Sequence, residues 1–106
     1  MTSFSSQQLQ RQPTGAERRR APRFAVQIDA VLHANGTSQP TVIDDLSVGG
    51  AGLDLAIGIY ANDAVEIELA DGRRLPGQVA WWLSGACGVQ FAEPLRPDDR
   101  LFRAAT

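Results

Sequence analysis

At 106 residues, 43% hydrophobic and 21% charged, the chain has room for one hydrophobic core and not two, and its ten glycines and six prolines favour turns over long helices. A formal net charge of −2 excludes a generally basic, nucleic-acid-coating body, a single cysteine excludes an intrachain disulfide, and no Cys/His cluster has the spacing of a zinc site. No apolar run approaches the ~18 residues needed to span a membrane, and the polar stretch from Met1 to Gln12 lacks the apolar centre of a secretory signal, so a cytoplasmic protein is expected.

Residues 1–16 are rich in Ser, Gln, Thr and Gly and hold few large apolar side chains, a composition that does not offset the entropy of ordering; a flexible tail is expected there, with the folded domain over 17–106. Charge is unevenly divided along the chain. Residues 1–23 carry five arginines against one glutamate, and the remainder carries five arginines against eleven acids. A basic arm before an acidic body points to an anionic ligand at the arm. Every basic residue is arginine, which supplies planar forks suited to phosphate and guanine, although genomic base composition gives the same bias. In Glu17–Arg23, Pro22 interrupts any helix and pushes Ala21 toward extended geometry, so this segment should enter the fold as an extended arm.

From Phe24 the apolar period is two: Phe24, Val26, Ile28, Ala30 and Leu32 share one face of a half-buried strand. Asn35-Gly36 is suited to a turn with positive φ, and Thr41–Ser47 reads as the returning strand. Gly49, Gly50 and Gly52 break or bend the chain before Leu53-Asp54-Leu55. Val65, Ile67 and Leu69 alternate with Glu66 and Glu68, and Asp71-Gly72 marks another hairpin. Leu75, Val79, Trp81 and Leu83 form a fifth alternating run, and Cys87, Val89 and Phe91 a sixth. Within this pattern one of Trp81 and Trp82 belongs in the core, and Cys87 is a small core residue. Pro97–Arg103 begins with Pro and acids and ends with Arg, as a short helix prefers, and Leu101 and Phe102 would cover one end of the core. Six short strands with no long helix between them predict an all-β sandwich or small barrel with one short C-terminal helix.

Two short segments carry chemistry. Arg19 and Arg23 form an Arg-x-x-x-Arg pattern preceded by Arg18; on an extended chain residues four apart lie on one side, about 13 Å from each other. Each guanidinium can donate two parallel hydrogen bonds to a phosphate, or to O6 and N7 of a guanine. Alone, such a cluster is more often a solvated surface or a nonspecific nucleic-acid patch than a specific site. Asp45, Ser47 and Gly50 form an Asp-x-Ser-x-x-Gly pattern at a strand end, with Asp45 and Ser47 on one face and Leu46 toward the core. The aspartate can accept from guanine N1 and N2 hydrogens or hold an arginine in place, and the serine can donate to phosphate. Gly50, lacking Cβ, lets a ligand or the arm approach the backbone. Alone, this segment fits an ordinary turn.

Arg-x-x-x-Arg, one strand and a turn, then Asp-x-Ser-x-x-Gly: the two motifs in this order and spacing closely resemble the signature of PilZ domains, over residues 17 to about 103. The resemblance implies a six-stranded antiparallel β-barrel of the split-barrel type and binding of the second messenger cyclic di-GMP. It implies that Arg19 and Arg23 hold phosphate and guanine, that Arg18 adds a further contact, and that Asp45, Ser47 and Gly50 form the barrel's part of the site. An arginine at the position of Arg18 resembles members that take an intercalated ligand pair. A protein partner that reads the ligand-bound surface is expected, since no output domain is read in this sequence.

No cofactor, metal or catalytic centre is expected. Glu66/Glu68 and Asp98/Asp99 fit an exposed strand face and a helix start, and nothing assembles a nucleophile, base and orienting group. His33 has no partner nearby in sequence and no role is assigned to it. The competing readings are a nucleic-acid-binding barrel, opposed by the acidic body and the absence of aromatic residues beside the arginines, and a protein-interaction adaptor without ligand, opposed by the intact Asp45, Ser47 and Gly50.

Overall fold

The computed structural model describes residues 22–54 and 56–104. Six strands form within them: β1 (Phe24–Ala34), β2 (Thr37–Ser47), β3 (Gly50–Asp54), β4 (Ala64–Leu69), β5 (Arg74–Leu83) and β6 (Ala86–Phe91), followed by a 3-10 turn, Arg100–Ala104. All neighbours are antiparallel, and the order β1-β2-β3-β6-β5-β4 closes on itself through β4 against β1. Closure leaves no strand edge unpaired in the ring. The all-β, six-stranded barrel expected from the sequence is therefore the observed one. The tail expected over residues 1–16 lies outside the described residues.

Period two becomes burial most directly in β4, where Val65, Ile67 and Leu69 enter the barrel while Glu66 and Glu68 face out. Leu32, Ile43, Leu46, Leu53, Ile59, Ile67 and Val79 are fully buried, each contributing roughly 1.5–3 kcal/mol of hydrophobic stabilisation. Cys87 is buried among them as expected; burial, with the Asp44 carboxylate as a lesser cause, pushes its thiol up to about 11. The thiol thus stays protonated at neutral pH and packs as a small apolar group. The Asn35-Gly36 hairpin has positive φ at both residues, 56° and 77°, as its sequence predicts.

The structure departs from the sequence reading at several points. β2 begins at Thr37, not Thr41, because its first half pairs with β1 from Ala34↔Thr37 onward. The glycine-rich stretch is a strand rather than a break: Gly50 to Leu53 are all buried between β2 and β6. A bulge between Val79 and Trp81 resets the parity of β5, so neither tryptophan is a core residue. Trp81 and Trp82 are 42% and 41% exposed, the first facing outward over Gly88 and the second donating from its indole to Ala56 O at 3.2 Å. The expected C-terminal helix is a single 3-10 turn: Asp99 Oδ1 accepts from Leu101 N at 3.0 Å and Asp99 O from Phe102 N at 3.0 Å, an i→i+3 closure.

Two barrel ends follow from this topology. One end gathers the β1–β2 and β5–β6 hairpins with the β3–β4 connection. The other gathers the start of β1, the β2–β3 turn and the residues after β6. At this second end Leu101 and Phe102 pack against the core, and Phe102 meets Phe24 edge-on at 5.5 Å between ring centroids. Arg73–Asp99 at 2.8 Å and Arg100–Asp71 tie the 3-10 turn to the β4–β5 hairpin. His33, given no role from sequence, holds the seam of three strands: Nδ1 meets Ser38 Oγ and Nε2 meets Glu68 Oε1, each at 2.7 Å.

Candidate ligand-binding site

Arg23 precedes β1, and the β1–β2 register sets Ala25 opposite Asp45. Its guanidinium consequently reaches Asp45, with Nε donating to Oδ2 at 3.0 Å and a terminal nitrogen to the same oxygen at 2.7 Å. Both donors converge on one oxygen. Among the described residues none donates to Oδ1. Two sequence-predicted site residues, 22 positions apart, are thus brought into contact. Arg18 and Arg19 lie outside the described residues.

Asp45 and Ser47 do share a face of β2, and Leu46 between them is fully buried. Ser47 itself is buried and donates to Gly50 O at 3.4 Å, a long bond. The turn after it is clamped from behind: Gly49 O accepts from Phe91 N at 2.9 Å and Val48 O from Leu95 N at 2.7 Å. The close approach that Gly50 permits is that of β6. A Cβ at Gly50 would run into the Val89 carbonyl oxygen and stand 3.4 Å from its carbon.

Two outward rows cross the barrel from these residues. Asp45 pairs with Gly52, Gly52 with Gly88, and Gly88 with Trp81. A Cβ on Gly52 would stand 3.1 Å from Asp44 Oδ1 and from Asp45 Cβ, and a Cβ on Gly88 would strike the Trp81 indole. The row is therefore a glycine strip covered by its neighbours: the Trp81 indole lies on Gly88, and the Asp44 and Asp45 side chains stand against Gly52. The next row runs Ser47, Gly50, Gln90, Gln78, and it borders a shallow depression of about 340 Å³ lined by Gly77, Gln78, Gln90, Phe91 and Ala92. The exposed part of the Trp81 indole can stack on a planar base, and the exposed Gln90 amide supplies a hydrogen-bonding edge. Sequence reasoning missed Trp81, Gly52 and Gly88 here, because their juxtaposition depends on register and on the β5 bulge. The visible signal was a glycine at matching outward parity on two strands.

The family model of the PilZ domain matches residues 17–105. The chain belongs to the PilZ family. A search of curated proteins finds no match. PilZ domains are a cyclic di-GMP-binding, non-catalytic family, and both motifs of this PilZ chain are complete in its sequence. Among the described residues no group of three His, Cys, Asp or Glu side chains is placed to hold a metal ion, and no helix is long and apolar enough to cross a membrane.

Beside the Arg23–Asp45 pair the PilZ barrel carries excess negative charge. Partial burial, then the Asp54 and Asp45 carboxylates, raise the pKa of Asp44 above the ordinary aspartate value. A carboxyl with a raised folded pKa binds more protons folded than unfolded, so its ionisation opposes folding at neutral pH and this cost disappears as pH falls through the folded pKa. Asp44→Asn should raise the melting temperature slightly at pH 7, by less than about 0.5 kcal/mol of stability, and should lose that advantage near pH 3.5. Paired thermal melts at the two pH values check it.

Proposed function

We propose that this PilZ domain is a cyclic di-GMP receptor that converts messenger concentration into an altered protein-interaction surface. The observation that carries the reading is the Arg23–Asp45 contact at the edge of the glycine strip: it sets an arginine of the first motif and the aspartate of the second on one surface. Arg23 offers its remaining donors to phosphate, and the Asp45 carboxylate can accept from the N1 and N2 hydrogens of a guanine. The exposed part of the Trp81 indole offers a face on which a base can stack. Ser47 exchanges its long bond to Gly50 O for a phosphate oxygen. Arg18 and Arg19, four or five residues before Arg23, then reach the outer side of the same ligand, so that binding orders the arm against the barrel.

Calorimetric titration of the full chain with cyclic di-GMP, GMP and a short oligonucleotide tests the reading. Selective binding of the cyclic dinucleotide is expected, with slowed amide exchange over residues 10–23. Equal binding of the oligonucleotide would favour the nucleic-acid barrel, and no binding at all would favour the ligand-free adaptor.

A further inference from the structure

The barrel end away from the motifs carries three large apolar side chains in solvent: Ile57, Tyr60 and Leu83 are 69%, 68% and 68% exposed, with the half-exposed Trp82 beside them. Isolated exposed apolar residues need no explanation, but a cluster from two separate segments on a small domain does. The segments are joined: Ala56 N donates to Gly85 O at 2.7 Å, and the Trp82 indole donates to Ala56 O.

The loop that presents this cluster is held firmly. Gln39 grips the backbone of Ile57 from both sides, accepting from Ile57 N at 2.9 Å and donating to Ile57 O at 2.7 Å. Asp63 Oδ2 accepts from Tyr60 N at 2.9 Å and from Asn35 Nδ2 at 3.1 Å, and Asn35 also reaches Gly58 O. Ala56 and Ile59 anchor the loop in the core on either side of Ile57. Its backbone is thus held by hydrogen bonds at the barrel rim while the side chains of Ile57 and Tyr60 point out. A surface fixed in this way loses little conformational freedom when a partner covers it, and Tyr, Trp and aliphatic anchors are the usual centres of such contacts.

Charge specifies what fits. Exposed Asp54 and half-buried Asp63 bracket the loop, and among the described residues those that supply this end, within 24–72 and 75–95, include no arginine or lysine. A second copy of the chain would bring these acids against their own kind. We infer that this barrel end docks a protein segment with aliphatic or aromatic anchors flanked by Arg or Lys. The inference is independent of ligand binding at the motif end.

The test uses the full-length chain, isotopically labelled, and a synthetic amphipathic peptide of leucine, tryptophan and lysine, with a counterpart in which glutamate replaces lysine. The lysine peptide should shift amides of residues 56–63 and 82–86. Ile57→Ser/Leu83→Ser, both exposed and charge-neutral, should weaken it about tenfold with the remaining amide spectrum and the cyclic di-GMP titration unchanged. Equal affinity of that variant, or shifts confined to the Asp29 and Asp44 face, would overturn the inference in favour of general electrostatic adhesion. So would tighter binding of the glutamate peptide. A doubled mass in sedimentation that the double variant abolishes would assign the surface to a second copy. Movement of the 56–63 amides by Phe4→Ala/Leu9→Ala without peptide would assign it to the chain's own N-terminal segment.

Discussion

Replacing Arg19 and Arg23 together by alanine is expected to weaken cyclic di-GMP binding about a hundredfold or more while scarcely moving the melting temperature. Each arginine is assigned at least one charge-assisted contact to phosphate or guanine, worth roughly 1.5–3 kcal/mol, and 1.4 kcal/mol is about tenfold in affinity. Removing Arg23 has a second consequence. Asp45 loses its cation and confronts an anionic ligand with an uncompensated charge, so the Arg23 substitution should cost more than its own contacts. The effect on folding is small because the Arg23–Asp45 pair is 45% and 36% exposed at its side chains, in the class worth no more than about 1 kcal/mol. Calorimetry and thermal melting on the same preparations separate the two quantities. A fall in stability matching the fall in affinity, or an unchanged dissociation constant, would remove these arginines from the site.

The strand pattern of this protein was legible wherever one residue in two faces the core, as in β4, and so were the Asn35-Gly36 turn and the burial of Leu46 and Cys87. What escaped was each place where the ladder slips. Phe24 begins an apolar face on paper, yet as the first residue of β1, beyond the bulge between Ala25 and Ile28, it lies at the barrel's end, where it packs on Phe102 and stays partly exposed. The bulge in β5 turned Trp81 from a core candidate into the wall of the glycine strip. A bulge adds one residue to one strand only, and no periodicity within a single strand records its partner's count. The ends of the barrel were illegible for a related reason. Gln39 gripping Ile57 and Asp63 gripping Tyr60 and Asn35 are contacts of long sequence separation or of loop geometry, invisible to local pattern. Half of the candidate site was legible differently, through motifs: the Arg23–Asp45 contact spans 22 residues, and only the joint spacing of two motifs pointed to it.

Gly50→Ala should unfold or badly destabilise the barrel, whereas Gly49→Ala, one residue away, should be nearly silent. A Cβ at position 49 meets nothing within 4 Å, but at position 50 it enters the backbone of β6 at Val89. A side-chain tip could swing aside; a paired carbonyl cannot. The β3–β6 ladder runs only from Gly50↔Gln90 to Leu53↔Cys87, so prying it apart at its first pair threatens the whole seam. Overpacking of this kind costs about 3 kcal/mol or more, roughly 10–20 °C in melting temperature for a domain of this size. Gly49→Ala, a surface change, should stay within about 0.5 kcal/mol. The same pair of variants divides two roles for the motif glycine. Had Gly50 served only to admit a ligand, Gly50→Ala would melt normally and fail in titration with cyclic di-GMP. The position of Val89 predicts the reverse order of events: the last residue of the motif acts by letting β3 lie against β6, which holds the β2–β3 turn, and with it Ser47 and Asp45, where a ligand can meet them.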